Sequence, residues 1–400
     1  MSTLIEVHVE GTVPVHGYLA LDSFVDGAAH GGLRIAADVT PERLREAART
    51  MTLKYGWAGL PVGGAKAGLL MPAGTTELDR ALMLRGFGQA IRPHLRSGAY
   101  VPGEDMGSTA DDIRAVLRAA GMSPRSPARV RAASGVYTGV GVCAAALAAA
   151  TALDLPAKGL RVTIEGFGNV GASTARRLHE AGAKVVGVST TAGGLYRENG
   201  LDVRQLLSLH RRYGDDAVLH ASAGDAVPPR ELVSLPADVF CPCAEMHSIT
   251  ADNARTIQAR VVCPGANVPA TAEAEELLYE RDVLFLPDFV ANCGGVLGGS
   301  MARAGIGRDE IAGVISRWLH RQTSLLIVDA REQRRTLREV ATEKALESFD
   351  EAKTRYEMHT PVRSLTRFAV GIYRRGLIPT PLLAPFGRRY YRAWEERYGE

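Results

Sequence analysis

The stretch "LRVTIEGFGNVGASTARRLHEAGAKVVGVST", residues 160–190, decides the fold. It reads as an apolar strand, a glycine turn, a helix and a second apolar strand. Gly166, Gly168 and Gly171 stand at G-x-G-x-x-G spacing. The spacing alone is a weak signal, but here it follows "RVTIE" and opens the helix "ASTARRLHEAG", the setting that gives it meaning. The first glycine permits a tight turn, the second lets backbone approach a pyrophosphate, and the third lets helix pack on strand. Asn169 and Val170 begin the helix, whose free N–H groups and positive dipole end suit phosphate. The bland alternative is a tight βαβ turn and nothing more.

Further short strands follow in "ADVFCPCA", "ARVVCPGA" and "DVLFLPDFV", with helical stretches between them. Strands alternating with helices predict a doubly wound parallel sheet, a Rossmann-type dinucleotide-binding domain. The second strand of the motif should end in Asp or Glu if an NAD ribose is gripped in the usual way. It ends instead in "VVGVSTTAGG", with Ser189, Thr190 and Thr191 at that point. Losing the carboxylate removes repulsion against a 2′-phosphate, and hydroxyls can hydrogen-bond one, yet no arginine is adjacent. NAD and NADP both stay open, with Thr190 as the cofactor-facing residue.

Outward from this core, residues 1–132 mix β-like stretches ("LIEVHVEG", "GYLALDSF") with helical patterns. "TPERLREAARTMTLKYGW" has Thr40 as N-cap, Pro41 at the first helical position and Glu42 in the first turn. "TELDRALMLRGFGQAIRPHL" reads as one amphipathic helix, and "SGVYTGVGVCAAALAAATALDL" opens a long buried one. The expected organisation is α/β with two domains and a cleft between them. Residues 1–132 form a substrate-binding and oligomerisation domain, completed by C-terminal helices at about 340–376. Residues 133–335 form the dinucleotide domain, and 377–400 a Pro-, Arg- and Tyr-rich extension.

The 400 residues suffice for two cores, and 46% hydrophobic with 23% charged residues describes a soluble globular chain. A net charge of +3 is too small to imply nucleic acid. The apolar run "VGVCAAALAAATAL" at 140–153 is too short to span a bilayer, and "MSTLIEVHVEG" has no signal-peptide pattern. A cytoplasmic protein with no membrane partner is expected. Its five cysteines are odd in number, and Cys241-Pro-Cys243 lacks metal-finger spacing. They read as reduced, mostly buried thiols, with no metal site.

"AGLPVGGAKAGLL", residues 58–70, carries one ionisable group, Lys66, among glycines and aliphatics. It is no phosphate loop, because Ala65 and Ala67 flank the lysine where that motif needs Gly and then Ser or Thr. A lysine held in a cleft by a glycine loop is one reading, and a snorkelling surface lysine the other. Lys54 lies upstream near the end of a helix, and "VPGEDMGSTADDI" supplies Glu104 and Asp105. Two lysines and a carboxylate near a nicotinamide suit an amino or 2-oxo acid. One ammonium neutralises the α-carboxylate, another polarises the 2-oxo oxygen or its attacking water, and the carboxylate moves protons at the α-nitrogen.

The blocks "GGLR", "MTLKYGWAGLPVGGAKAG", "GEDMGST", "TGVGV", "GFGNVG", "CPGANVPAT" and "FVANCGGV" together resemble the glutamate/leucine/phenylalanine/valine dehydrogenase family. They fall in family order over residues 15 to about 300, and "TRFAVGIYRRG" is similar to the family's C-terminal helix. The resemblance implies that Lys54 and Gly32 meet the substrate, Lys66 activates water and steadies the oxyanion, and Asp105 transfers protons. It implies that Thr138 and Asn292 sit by the nicotinamide and substrate, and Asn267 by the cofactor. It also implies a homo-oligomer acting on an amino acid, its 2-oxo acid and ammonia.

Two positions depart from the glutamate-specific pattern. His30 stands where those members carry a lysine, and Gly299 where they carry a serine. Both groups that hold a second carboxylate are altered, which favours the leucine/phenylalanine-type branch. The pair Gly298–Gly299 suggests room for a bulky or aromatic side chain. Two alternatives stand beside a dehydrogenase: a family member that condenses 2-oxo acids in a specialised pathway, and a non-catalytic regulatory subunit.

Overall fold

In the computed structural model the chain divides into two units, Met1–Ala132 with Lys344–Leu383, and Ala133–Glu343 with Ala384–Glu400. Residues 3–123, 134–358 and 384–399 are described, and "TRFAVGIYRRG" lies outside them.

The first unit is built on a five-stranded sheet: β1 (Thr3–Val9), β2 (Val15–Leu21), β3 (Ala29–Ala36), β4 (Gly63–Leu70) and β5 (Tyr100–Glu104). The spatial order is β1-β2-β4-β3-β5. The β1, β2 and β4 contacts are antiparallel, whereas β3 runs parallel to both β4 and β5. "AGLPVGGAKAGLL" is therefore not the glycine loop expected: its centre is an inner strand. The glycines have a packing reason. A Cβ at Gly64 would come within 2.4 Å of the Thr52 nitrogen, and one at Gly63 within 2.3 Å of the Ser23 carbonyl. Thr52 belongs to helix Pro41–Trp57, which Thr40 caps by accepting from the Arg43 N–H.

Side chains alternate along β4. Ala65, Ala67 and Leu69 join a core with Leu19, Phe87, Ile91 and Val116, whereas Leu70 packs with Leu44 and Ala48 of helix Pro41–Trp57. Lys66 shares the second face. The helix expected over 76–95 is two helices, Glu77–Ala90 and Arg92–Ser97. Pro93 has no N–H for the Gln89 carbonyl, so the first helix ends at Ala90 with Ile91 as its C-cap.

The second unit holds β6 (Arg161–Glu165), β7 (Lys184–Thr190), β8 (Gly193–Tyr196), β9 (Asp225–Val227), β10 (Val239–Pro242), β11 (Val261–Val262) and β12 (Leu284–Phe285). Their order is β12-β11-β10-β6-β7-β8-β9. The parallel sheet expected extends from β12 to β7 only; β8 and β9 pair antiparallel, because the chain turns back immediately after β7.

Helix Ser134–Thr151 packs on helix Asn169–Glu180 closely enough that a Cβ at Gly139 would lie 2.5 Å from the Ser173 Cβ. It is long and apolar enough to cross a membrane, yet 67% of it is buried within this unit. Helix Ala384–Tyr398 packs on the same unit, with the Trp394 and Trp318 rings 5.1 Å apart. All five cysteines are free, and four are buried. Burial pushes the Cys143 thiol up to about 12. Among the described residues no group of three His, Cys, Asp or Glu side chains could hold a metal ion.

Candidate active site

Lys66 lies within β4 and Asp105 directly follows β5, with β3 between those strands. The two side chains nevertheless meet, Lys66 Nζ to Asp105 Oδ2 at 2.5 Å. The strand they cross has glycines at that level. A Cβ at Gly31 would lie 1.6 Å from the Ala65 carbonyl oxygen, and one at Gly32 2.7 Å from the Asp105 Cβ. The turn after β5 is equally constrained. Gly107 has φ +76°, and the Asp105 N–H donates to Ser108 Oγ at 2.9 Å while that hydroxyl donates to the Asp105 carbonyl at 3.1 Å.

Burial raises the Asp105 carboxyl, but the Lys66 ammonium, the Met106 N–H and the Arg34 charge outweigh it and hold the group below its ordinary value. The Lys66 side chain is only 5% exposed. The result is a largely buried ammonium–carboxylate pair, which a snorkelling surface lysine would not form.

Lys54 is buried in the last turn of helix Pro41–Trp57. A polar network that the local pattern does not announce ties this turn to β4. Thr52 Oγ1 donates to Asp22 Oδ2 at 2.6 Å and lies 2.7 Å from Ser23 Oγ, which accepts from the Gly64 N–H at 2.9 Å. Asp22 and Ser23 follow β2, so their meeting with the helix is a product of topology. His30 is half-buried on β3, opposite Gly64 and Val101. By alternation it shares the face of Gly32.

In the second unit Gly166 has φ +83°, and a Cβ at Gly171 would lie 1.9 Å from the Gly166 carbonyl oxygen. Gly168 caps helix Asn169–Glu180, and a Cβ there would meet nothing within 4 Å. The turn is thus closed on two sides and open at the helix N-terminus. Ser189 Oγ braces it by accepting from the Gly166 N–H at 3.4 Å. Thr190 is buried, its hydroxyl donating to the Asp215 carbonyl at 2.8 Å and accepting from the Ala192 N–H at 3.2 Å. Thr191 Oγ1 donates to the Asp215 carboxylate at 2.5 Å. A carboxylate therefore stands after β7, supplied from a 3-10 helix (Gly214–Leu219) rather than from the strand end. No local motif could have shown it.

Asn292 is 2% exposed and donates from Nδ2 to the Ala266 carbonyl at 3.0 Å and to Asn267 Oδ1 at 3.1 Å. Its own Oδ1 is buried with no partner among the described residues. The adjoining loop is held under strain: Val268 has φ +46°, and its N–H donates to the buried Asp288 carboxylate at 2.9 Å. Arg338 pairs with Asp288 at 3.2 Å and with Glu275 at 2.5 Å.

Thr138 donates to the Ser134 carbonyl at 2.9 Å and lies where a Cβ at Gly295 would come within 2.4 Å of it. Thr138 thus lies against the start of helix Gly294–Arg303. The room expected at Gly298 is absent, since a Cβ there would lie 2.5 Å from the Tyr137 ring. At Gly299 the nearest group is Arg303 Nη1, 3.7 Å from where a Cβ would stand. A glycine turn open at its second glycine and an unsatisfied buried amide oxygen fit a nicotinamide dinucleotide.

Residues 3–121 match the family model "Glu/Leu/Phe/Val dehydrogenase, dimerisation domain", and residues 132–355 match "Glutamate/Leucine/Phenylalanine/Valine dehydrogenase". The chain is 34% identical over 303 residues to the catabolic NAD-specific glutamate dehydrogenase of Bacillus subtilis, covering 72% of this chain and 70% of the relative. It is 33% identical over 300 residues to an NAD-specific glutamate dehydrogenase of Staphylococcus aureus, covering 72% of each. A hetero-hexameric glutamate dehydrogenase from Thermus thermophilus, crystallised with leucine, superposes with a TM-score of 0.73 at 25% identity, covering 90% of each chain. The chain belongs to the glutamate/leucine/phenylalanine/valine dehydrogenase family. It is accordingly an oxidoreductase, an amino-acid dehydrogenase acting on a CH–NH2 donor.

Proposed function

We propose that the protein catalyses the reversible, NAD-dependent oxidative deamination of an L-amino acid to its 2-oxo acid and ammonia, with an apolar or aromatic side chain favoured over that of glutamate. The Lys66–Asp105 pair carries this proposal. Asp105, ionised beside Lys66, takes a proton from the substrate ammonium and leaves a neutral amine. A nicotinamide held by the second unit would supply the hydride acceptor for the α-hydrogen. Lys66 then steadies the oxygen of the water that adds at the resulting iminium carbon; Asp105, its first proton released to solvent, relays one proton of that water to the departing ammonia, and the other leaves as the carbonyl forms. Lys54 holds the α-carboxylate as a desolvated ammonium. Gly32 keeps Asp105 in reach of Lys66.

The open Gly168 and the N–H groups of Asn169 and Val170 would hold the pyrophosphate, and Asn292 Oδ1, beside Asn267, would accept from an amide or ammonium donor. NAD is favoured over NADP because the Thr190 hydroxyl is already engaged and the Asp215 carboxylate would repel a 2′-phosphate. The named relatives are NAD-specific, which supports the same choice.

For the side chain, His30 and Gly299 replace the groups that would grip glutamate, which supports the leucine/phenylalanine-type branch. With Tyr137 filling the space at Gly298, the extra room comes from Gly299 alone. A second reading is an acidic substrate, favoured by the Arg303 guanidinium beside Gly299. The test is ammonium-dependent oxidation of NADH and NADPH with a panel of aliphatic, aromatic and acidic 2-oxo acids. Turnover confined to 2-oxoglutarate would overturn the side-chain reading, and no turnover with any acid would overturn the function. We also infer a cytoplasmic homo-oligomer, which free buried thiols and the description of residues 3–121 as a dimerisation domain support.

A further inference from the structure

Helix Ala384–Tyr398 lies beyond the residues the family models match, yet it is built into the second unit. Trp394 is 3% exposed against Trp318, and the Trp318 indole N–H donates to the Tyr398 carbonyl at 2.6 Å. A Cβ at Gly387 would lie 2.4 Å from the Ala304 carbonyl oxygen, so the helix approaches the end of helix Gly294–Arg303 backbone to backbone. At that approach Tyr391, 5% exposed, donates its hydroxyl to Ser300 Oγ at 2.6 Å. Ser300 adjoins Gly299, and the same short helix begins two residues after Asn292.

We infer that this last helix tunes recognition of the substrate side chain, with Tyr391 the positioning residue that fixes helix Gly294–Arg303 through Ser300. The inference rests on the proposed function, in which Gly299 borders the side chain and Asn292 the reacting end. This helix has glycines at 294, 295, 298 and 299, so of its large side chains Leu297 and Met301 alone are buried, and both contacts are apolar and non-directional. The part-buried hydroxyl pair adds the directional contact that those apolar side chains do not give. Tyr391 touches no reacting atom in this scheme. Its influence is on where Gly299 and Arg303 stand.

The test compares Tyr391→Phe, Ser300→Ala and the double variant in steady-state kinetics with NAD and the amino acid that corresponds to the best 2-oxo acid of the panel. Removing either hydroxyl is expected to raise the KM for the amino acid roughly fivefold to tenfold, with kcat and the KM for NAD within about twofold of wild type. The double variant should be no worse than either single one, because both remove the same contact. Arg388→Ala, on the same last helix, which removes a surface pair with Glu310 of helix Arg308–Gln333, should leave all three constants unchanged. Lower thermal midpoints with an unchanged amino-acid KM would overturn the inference, as would equal rises in both KM values or additive effects in the double variant. If the wild-type enzyme turns over no amino acid at all, the proposed function falls and this inference with it. Wild-type turnover with unaltered variants removes the inference alone.

Discussion

Gly32 and Asp105 share one space, since any side chain on Gly32 would begin 2.7 Å from the Asp105 Cβ and 2.8 Å from the Glu104 carbonyl oxygen. The carboxylate reaches Lys66 only because the intervening strand has no atoms in the way. Gly32→Ala should push Asp105 outward and lengthen the ion pair. We expect kcat to fall on the order of 100-fold while NAD affinity, which the proposed function assigns to the other unit, holds. The measurement is kcat alongside dinucleotide affinity by fluorescence quenching. Near-normal kcat would remove Gly32 from the site.

The Asp105 carboxyl is lower in the folded chain than in the unfolded one, so the pair stabilises the protein above the unfolded value near about pH 4. That stability disappears as pH falls through the lower folded value. Asp105→Asn strands the Lys66 ammonium and should cost about 3 kcal/mol at pH 7, with the gap from wild type closing in acid. Urea unfolding at pH 7 and near pH 3 checks this.

Lys66→Ala leaves Asp105 buried without its counter-charge, so its carboxyl should rise and the acid limb of the pH–rate profile should move upward. Turnover should drop roughly 1000-fold with dinucleotide binding intact. An unmoved acid limb in the residual activity would mean that Asp105 is not the titrating group.

Asp215 is the acid that stands after β7. Asp215→Ser should lower the KM for NADP on the order of tenfold and raise that for NAD, because the repulsion against a 2′-phosphate goes with the carboxylate. Unchanged constants for both dinucleotides would place Asp215 outside the ribose site.

Gly298→Ala drives a methyl into the Tyr137 ring and should destabilise by about 1–3 kcal/mol. Combining it with Tyr137→Leu should cost less than the two single changes summed, because a smaller side chain removes the collision. Thermal unfolding of the three variants is the check, and strict additivity would contradict the contact.

How much of this was legible follows from range. Thr40, Pro41 and Glu42 announce their helix because capping acts within one turn, and Gly166, Gly168 and Gly171 announce their turn for the same reason. Lys66 and Asp105 were both visible as candidates, and the resemblance paired their chemistry. Neither residue shows that β3 lies between them. The strand at Gly63–Leu70 reads as a loop in sequence because its glycines answer to Thr52 and Ser23, distant in sequence and adjacent in space. Tyr137 at Gly298 and Asp215 at Thr191 were hidden for the same reason. Composition pointed to room for a substrate, and packing had filled one of the two places.

Both units are discontinuous in the chain. Gly56, near the end of helix Pro41–Trp57, has no room for a Cβ because the Ala345 carbonyl oxygen would stand 2.1 Å away, and Trp318 waits for Trp394 to cover it. During synthesis, therefore, neither unit has its closing contacts when the ribosome has passed residue 343. Each would remain an open, sticky intermediate until sequence made much later arrives. Expressing residues 1–132 or 133–343 alone as separable domains should give chains prone to aggregate, and early release from the ribosome should be costly to both units at once.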